Sequence, residues 1–182
     1  RAFSIFCDRY GVTDWAEKLS GVYGMGNDDI MGRILPEEVI REKGLAALAA
    51  EKEAIYREIY APEIRPVEGL RELLGRLRTA GVRCAVGSSG CRANVDFVLE
   101  RCGIGDFFDA RISGDTVTRC KPDPEIYLRA AAALGAEFLD VKGQAFVPTG
   151  GTLTQIAHIR MKGLRETLAG AEGTGMCDID NP

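Results

Sequence analysis

Histidine and tryptophan occur once each in this 182-residue chain. The single histidine, His158, leaves the six cysteines without the partners of a Cys/His metal centre, and at positions 7, 84, 91, 102, 120 and 177 they form no C-x-x-C pair. They read as reduced thiols, which carries the expectation of a cytoplasmic protein. There is no basic excess: 23 Lys and Arg face 27 Asp and Glu, interspersed, for a net charge of -4. That excludes the electrostatic footprint of a nucleic-acid binder and favours a small-molecule or protein partner. No apolar run approaches the roughly 20 residues that span a bilayer, and no basic-then-apolar leader opens the chain, so no membrane partner is expected. No repeat is visible. The chain opens at Arg1-Ala2-Phe3 without a methionine, which leaves room for a segment upstream.

What is present divides by period. Residues 1–64 are expected to be all helical: Phe3, Ile5, Phe6 and Tyr10 share a face, Gly11 stops the helix, and Thr13-Asp14 with Glu17 has the spacing of a capping box. Gly24-Met25-Gly26-Asn27 is a loop, Asp28 and Asp29 open a short helix, and a longer one runs from Pro36 to Tyr60, weakened at Gly44. Trp15, Tyr56 and Tyr60 are expected to close this unit's core, with a substrate contact as the alternative.

An α/β rhythm begins after Pro62–Pro66. Leu70, Leu73, Leu74 and Leu77 mark a helix ended by Ala80-Gly81. Strands are expected over Val82–Val86 and Phe107–Ile112, and helices over Arg92–Cys102 and Pro124–Leu134. Such alternation predicts a parallel sheet with a ligand site at the carboxyl ends of its strands. Beyond Asp140 the pattern weakens to one strand candidate, Val141–Val147, and residues 168–182 are expected to pack poorly.

Two segments carry chemistry. Ser88, Ser89 and Gly90 form a hydroxyl-bearing turn between a strand and a helix, where backbone N–H groups also meet phosphate oxygens. Lys121, fixed between Cys120 and Pro122-Asp123-Pro124, offers a point charge to the same oxygens. Val82–Ser89 resembles motif II, and Ser113-Gly114-Asp115 through Lys121-Pro122-Asp123-Pro124-Glu125-Ile126-Tyr127 resembles motif III, of the haloacid dehalogenase superfamily. The nearer likeness is to its β-phosphoglucomutase-like branch, and it extends over about residues 1–140.

That resemblance implies a Rossmann-like α/β core with an N-terminal helical cap, Mg²⁺, and an aspartyl-phosphate intermediate in phosphoryl transfer from a small phosphorylated metabolite. It makes Ser88 and Lys121 the catalytic candidates, with Ser88, Ser89, Gly90 and Lys121 binding phosphate. The implied domains are a cap over 1–64, a core over 65–140, and a divergent segment over 141–182. Cys91 and Cys120 flank the site as bystander thiols, and His158 receives no role.

The family's first motif, a strand ending in D-x-D, is not matched. Asp8 lies in Phe6-Cys7-Asp8-Arg9-Tyr10, which aligns better with the first cap helix, and Asp178-Ile179-Asp180 has no apolar strand before it. Motif IV should supply two acids for Mg²⁺; Arg165 stands where the first is expected, leaving Glu166 as the metal candidate. The cap position of a phosphate-gripping arginine holds Asn27, which argues against the mutase reaction. Two readings therefore stand: a Mg²⁺-dependent phosphatase or phosphomutase-like hydrolase, or an incomplete relative that binds a phospho-ligand without the nucleophile. An incomplete sheet would also favour self-association.

Overall fold

The computed structural model of the chain describes residues 1–20 and 27–161. Its first five elements are helices: α1 (Ala2–Arg9), α2 (Trp15–Lys18), α3 (Asn27–Ile34), α4 (Glu37–Lys43) and α5 (Leu45–Tyr60). Gly44, at φ +80, separates α4 from α5, because that backbone conformation has no steric cost only for glycine. Helical spacing turns Phe6, Met31, Ile34 and Leu48 into one buried cluster, with Trp15 packed against its edge. The capping box expected at Thr13-Asp14 is not made. Asp14 is the N-cap of α2 without a side-chain capping bond, and its carboxylate pairs instead with the Lys18 ammonium at 3.1 Å.

A second cluster, of Leu74, Val95, Leu99, Cys102 and Ile104, lies under the α/β part. Here α6 (Leu70–Thr79) leads to β1 (Ala85–Gly87), α7 (Arg92–Arg101), β2 (Ala110–Ile112) and α8 (Glu125–Ala133). β1 and β2 pair in parallel, Ala85 opposite Ala110 and Gly87 opposite Ile112. Both strands are shorter than expected, for identifiable reasons. The Val82 amide still bonds to Leu77 O at the end of α6, so β1 cannot start there. Residues Gly105–Phe107 form a 3-10 turn that places Phe107 against the apolar cluster, and pairing begins only at Ala110.

The strand expected over Val141–Val147 shrinks to β4 (Ala145–Phe146), which lies in an antiparallel sheet ordered β4-β3-β5 with β3 (Glu137–Leu139) and β5 (His158–Arg160). Asp140 is the reason. Its Oδ1 accepts from the amides of Lys142 and Gln144 at 2.8 and 2.9 Å, closing a turn with Gly143 at φ +76. The chain therefore doubles back as a hairpin and does not extend the parallel pair. Phe138 and Leu139, consecutive on β3, are both buried. Among the described residues no helix is long and apolar enough to cross a membrane.

Candidate phosphate site

The turn after β1 is tied to the turn after β2 by the backbone. Ser88 N donates to Ile112 O at 2.9 Å, extending the parallel ladder by one bond, and Gly114 N donates to Gly90 O at 2.9 Å. Gly114 has to be glycine, because a Cβ there would collide with the carbonyl oxygen of Ser89. Within the first turn the Ser88 hydroxyl accepts from Gly90 N at 3.1 Å, which leaves its own proton to donate outward. The Arg92 amide, in the first turn of α7, is held by Asp115 Oδ2 at 2.5 Å, so the second turn also orients the start of the helix that follows the first.

Lys121 joins this pair of turns at two points. Its amide donates to Ser89 Oγ at 3.3 Å and its Nζ to Gly87 O at 3.2 Å, with the ammonium 5.1 Å from the centre of the Tyr127 ring. The structure thus brings Ser88, Ser89, Gly90 and Lys121 to the carboxyl ends of β1 and β2. With the amides of Ser88 and Gly90 engaged inside the turns, the hydroxyls of Ser88 and Ser89 and the Lys121 ammonium remain as donors at this strand end.

Glu125 holds the loop that delivers Lys121, and sequence reasoning missed it. The residue is completely buried, and its carboxylate accepts from Thr118 N at 3.0 and 3.1 Å, from Arg119 N at 3.1 Å and from Arg129 Nε at 2.8 Å. Burial pushes its carboxyl up, but the bonds from Thr118, Arg129 and Arg119 outweigh that and hold it below the ordinary glutamate range. The i, i+4 spacing of Glu125 and Arg129 was the only signal in the sequence, and it reads as an ordinary surface pair.

The helical part reaches the site through α5. Arg57 Nη1 donates to Asn94 Oδ1 at 2.7 Å, Asn94 in turn bonds to Glu53, and Glu53 pairs with Lys52. Tyr56 lines a cavity of about 250 Å³ with Ser88, Gly90 and Asn94, while Trp15 stays in the helical core. Burial, then Tyr60 and Glu53, raise the Tyr56 hydroxyl above its ordinary value.

Other candidates fall elsewhere. Asp8 is an exposed residue of helix α1, and His158 is an exposed residue of β5. Glu166, Asp178 and Asp180 lie outside the described residues. Among the described residues no group of three or more His, Cys, Asp or Glu side chains could hold a metal ion, so the implied Mg²⁺ finds no fitting ligand set there. Nor is Lys121 ion-paired to a carboxylate among them.

A family model described as haloacid dehalogenase-like hydrolase matches residues 3–144, and a glycerate kinase family model matches residues 128–182. "Protein CbbY" of Rhodobacter capsulatus is 32% identical over 134 residues, covering 71% of this chain and 57% of that protein. "Probable phosphatase IndB" of Dickeya dadantii is 32% identical over 116 residues, 63% of this chain and 50% of that protein. The chain therefore spans about half the length of these relatives. Among solved structures, β-phosphoglucomutase from Clostridium difficile is similar with a TM-score of 0.56 and 25% identity, covering 72% of this chain and 61% of that one.

Proposed function

This chain belongs to the haloacid dehalogenase-like hydrolase family, in its β-phosphoglucomutase-like branch, and we propose that its two joined turns hold the phosphoryl group of a small phosphorylated metabolite for hydrolysis or phosphoryl transfer. One observation carries the reading: Lys121 and Ser88, 33 positions apart, are fixed at one strand end by Lys121 N to Ser89 Oγ at 3.3 Å and Lys121 Nζ to Gly87 O at 3.2 Å. Ser88 donates its hydroxyl proton to a phosphoryl oxygen, and Lys121 sets a positive charge against the same oxygens. Charge that builds on them during transfer is stabilised without reorganisation, because both groups are already in place. The phosphatase relative supports a phosphomonoester as the ligand.

A second reading rests on Lys121 bonding a carbonyl oxygen instead of a carboxylate: a phospho-ligand site without a nucleophile. Titration calorimetry with inorganic phosphate, beside phosphate release from a panel of phosphomonoesters with and without Mg²⁺, separates the two. Both readings expect binding that falls at least about tenfold in Lys121→Ala at unchanged circular dichroism, the scale of one hydrogen bond to a charged group. Release of phosphate selects hydrolysis; binding without release selects the second reading. A folded chain that binds no phosphate overturns both.

A further inference from the structure

The turn that presents Lys121 rests on a segment distant from it in sequence. Asp123 N donates to Cys120 O at 3.1 Å, closing a four-residue turn with Lys121 at its second position, so the place of Asp123 decides the place of Lys121. The Asp123 carboxylate is fixed by the Glu125 amide, which donates to its Oδ1 at 2.9 Å. It also lies against Gly150. A Cβ at Gly150 would collide with Cγ, Oδ1 and Oδ2 of Asp123 alike, so the carboxylate could clear a side chain there only by giving up the Glu125 amide. Gly150 has no positive φ; the close approach, and not the backbone conformation, calls for glycine.

Gly150 belongs to a braced segment. Pro148, two residues before it, is completely buried. Thr149 N donates to Thr152 Oγ1 at 2.8 Å and that hydroxyl donates to Thr149 O at 3.2 Å, closing the start of the 3-10 turn Gly150–Gln155. Just past that turn Ala157 N donates to Leu139 O at 2.8 Å, which ties the segment to β3. Gly150 therefore stands on the antiparallel sheet, beyond residue 144 where the match to the hydrolase family ends.

Building on the phosphate-site reading above, we propose that Gly150 and Asp123 are positioning residues of that site, and that the segment from Pro148 to Thr152 is the backstop of the Lys121 turn. Neither residue needs to touch the phosphoryl group. Gly150 sets Asp123, Asp123 sets Lys121, and the bonds from Lys121 to Ser89 Oγ and Gly87 O then fix the ammonium at the strand end. Glu125 fastens Thr118 and Arg119 before the lysine; the backstop fastens the chain after it.

Titration of the full chain with inorganic phosphate, beside thermal melting, tests this in four variants. Asp123→Asn keeps an acceptor for the Glu125 amide and the shape against Gly150, and should bind phosphate at least as tightly as wild type. Asp123→Ala should lose about threefold in affinity and Gly150→Ala about tenfold. In Asp123→Ala/Gly150→Ala the new methyl group meets no carboxylate, and affinity should return to that of Asp123→Ala. A general loss of packing does not produce that dependence on one side chain. Losses that multiply in the double variant, or wild-type affinity in Asp123→Ala, overturn the backstop and leave the phosphate site standing. Should Gly150→Ala alone not fold, the double variant carries the comparison, and affinity below that of Asp123→Ala overturns the proposal. No phosphate binding by the folded wild-type chain removes the site, and the backstop with it.

Discussion

Glu125 shows how a single buried acid governs a residue four positions away that it does not touch. Its carboxylate fastens the amides of Thr118 and Arg119, and the chain reaches Lys121 two residues later with little freedom left. Because the folded carboxyl titrates below the ordinary 4.5, its stabilisation is fully present above that pH and is lost as pH falls through the lower folded value. Glu125→Gln keeps the shape, but it sets an amide donor against two backbone donors. It should cost about 2 kcal/mol at neutral pH, with the difference from wild type closing as pH falls below 4.5 and through the lower folded value. Urea denaturation at neutral and at acidic pH measures this; an equal difference at both would assign Glu125 to packing alone. At this scale Ser88 and Lys121 were legible because a hydroxyl turn and a proline-fixed lysine advertise phosphate chemistry locally. Glu125 was not, since its partners are backbone amides that leave no trace in residue type. Tyr56 was half legible: a helical-core tyrosine by spacing, it lines the cavity beside Ser88 instead.

Between elements, the site depends on two turns held in register by one close approach. Gly114 lies against the Ser89 carbonyl, and its amide reaches Gly90 O, so the second turn serves as a template for the first. A methyl group at Gly114 forces them apart, and the collision is with backbone, which cannot rotate away. Gly114→Ala should destabilise the protein by about 1–3 kcal/mol, as overpacking does, and weaken phosphate binding by more than that loss of stability explains. Thermal melting beside phosphate titration reads both; weaker folding with unchanged affinity would refute the template role. The helices on either side were legible through their 3.6-residue periodicity, down to the break at Gly44. Strands β1 and β2 were legible only as existing, and β3 and β5 were not read at all. Three paired residues are too few for a period-2 signal to fix their ends, which were decided by the α6 terminus and by the Phe107 turn.

Across the whole molecule two apolar clusters are built from separate stretches of chain, one from residues 2–59 and one from residues 64–108. The first stretch ends at Ile59 and the second begins at Ile64. The strand expected over Val141–Val147 is replaced by a hairpin locked by Asp140, in a stretch where the two family models overlap on residues 128–144 and only the glycerate kinase model continues, while the motif IV candidate Glu166 lies outside the described residues. A polar chain of side chains joins α5 to α7. Asn94, in the first turn of α7, takes Arg57 and gives to Glu53, so it satisfies two charged groups of α5 at once. Glu53 is only 7% exposed and cannot turn to water when that partner is removed. Asn94→Ala should thus cost about 1–3 kcal/mol and split the unfolding endotherm, because the helical part would melt without drawing the α/β part with it. Differential scanning calorimetry decides it: a single transition at lowered temperature would mean that apolar contacts between α5 and α7 couple the two parts, and that the Arg57–Asn94–Glu53 chain only orients them.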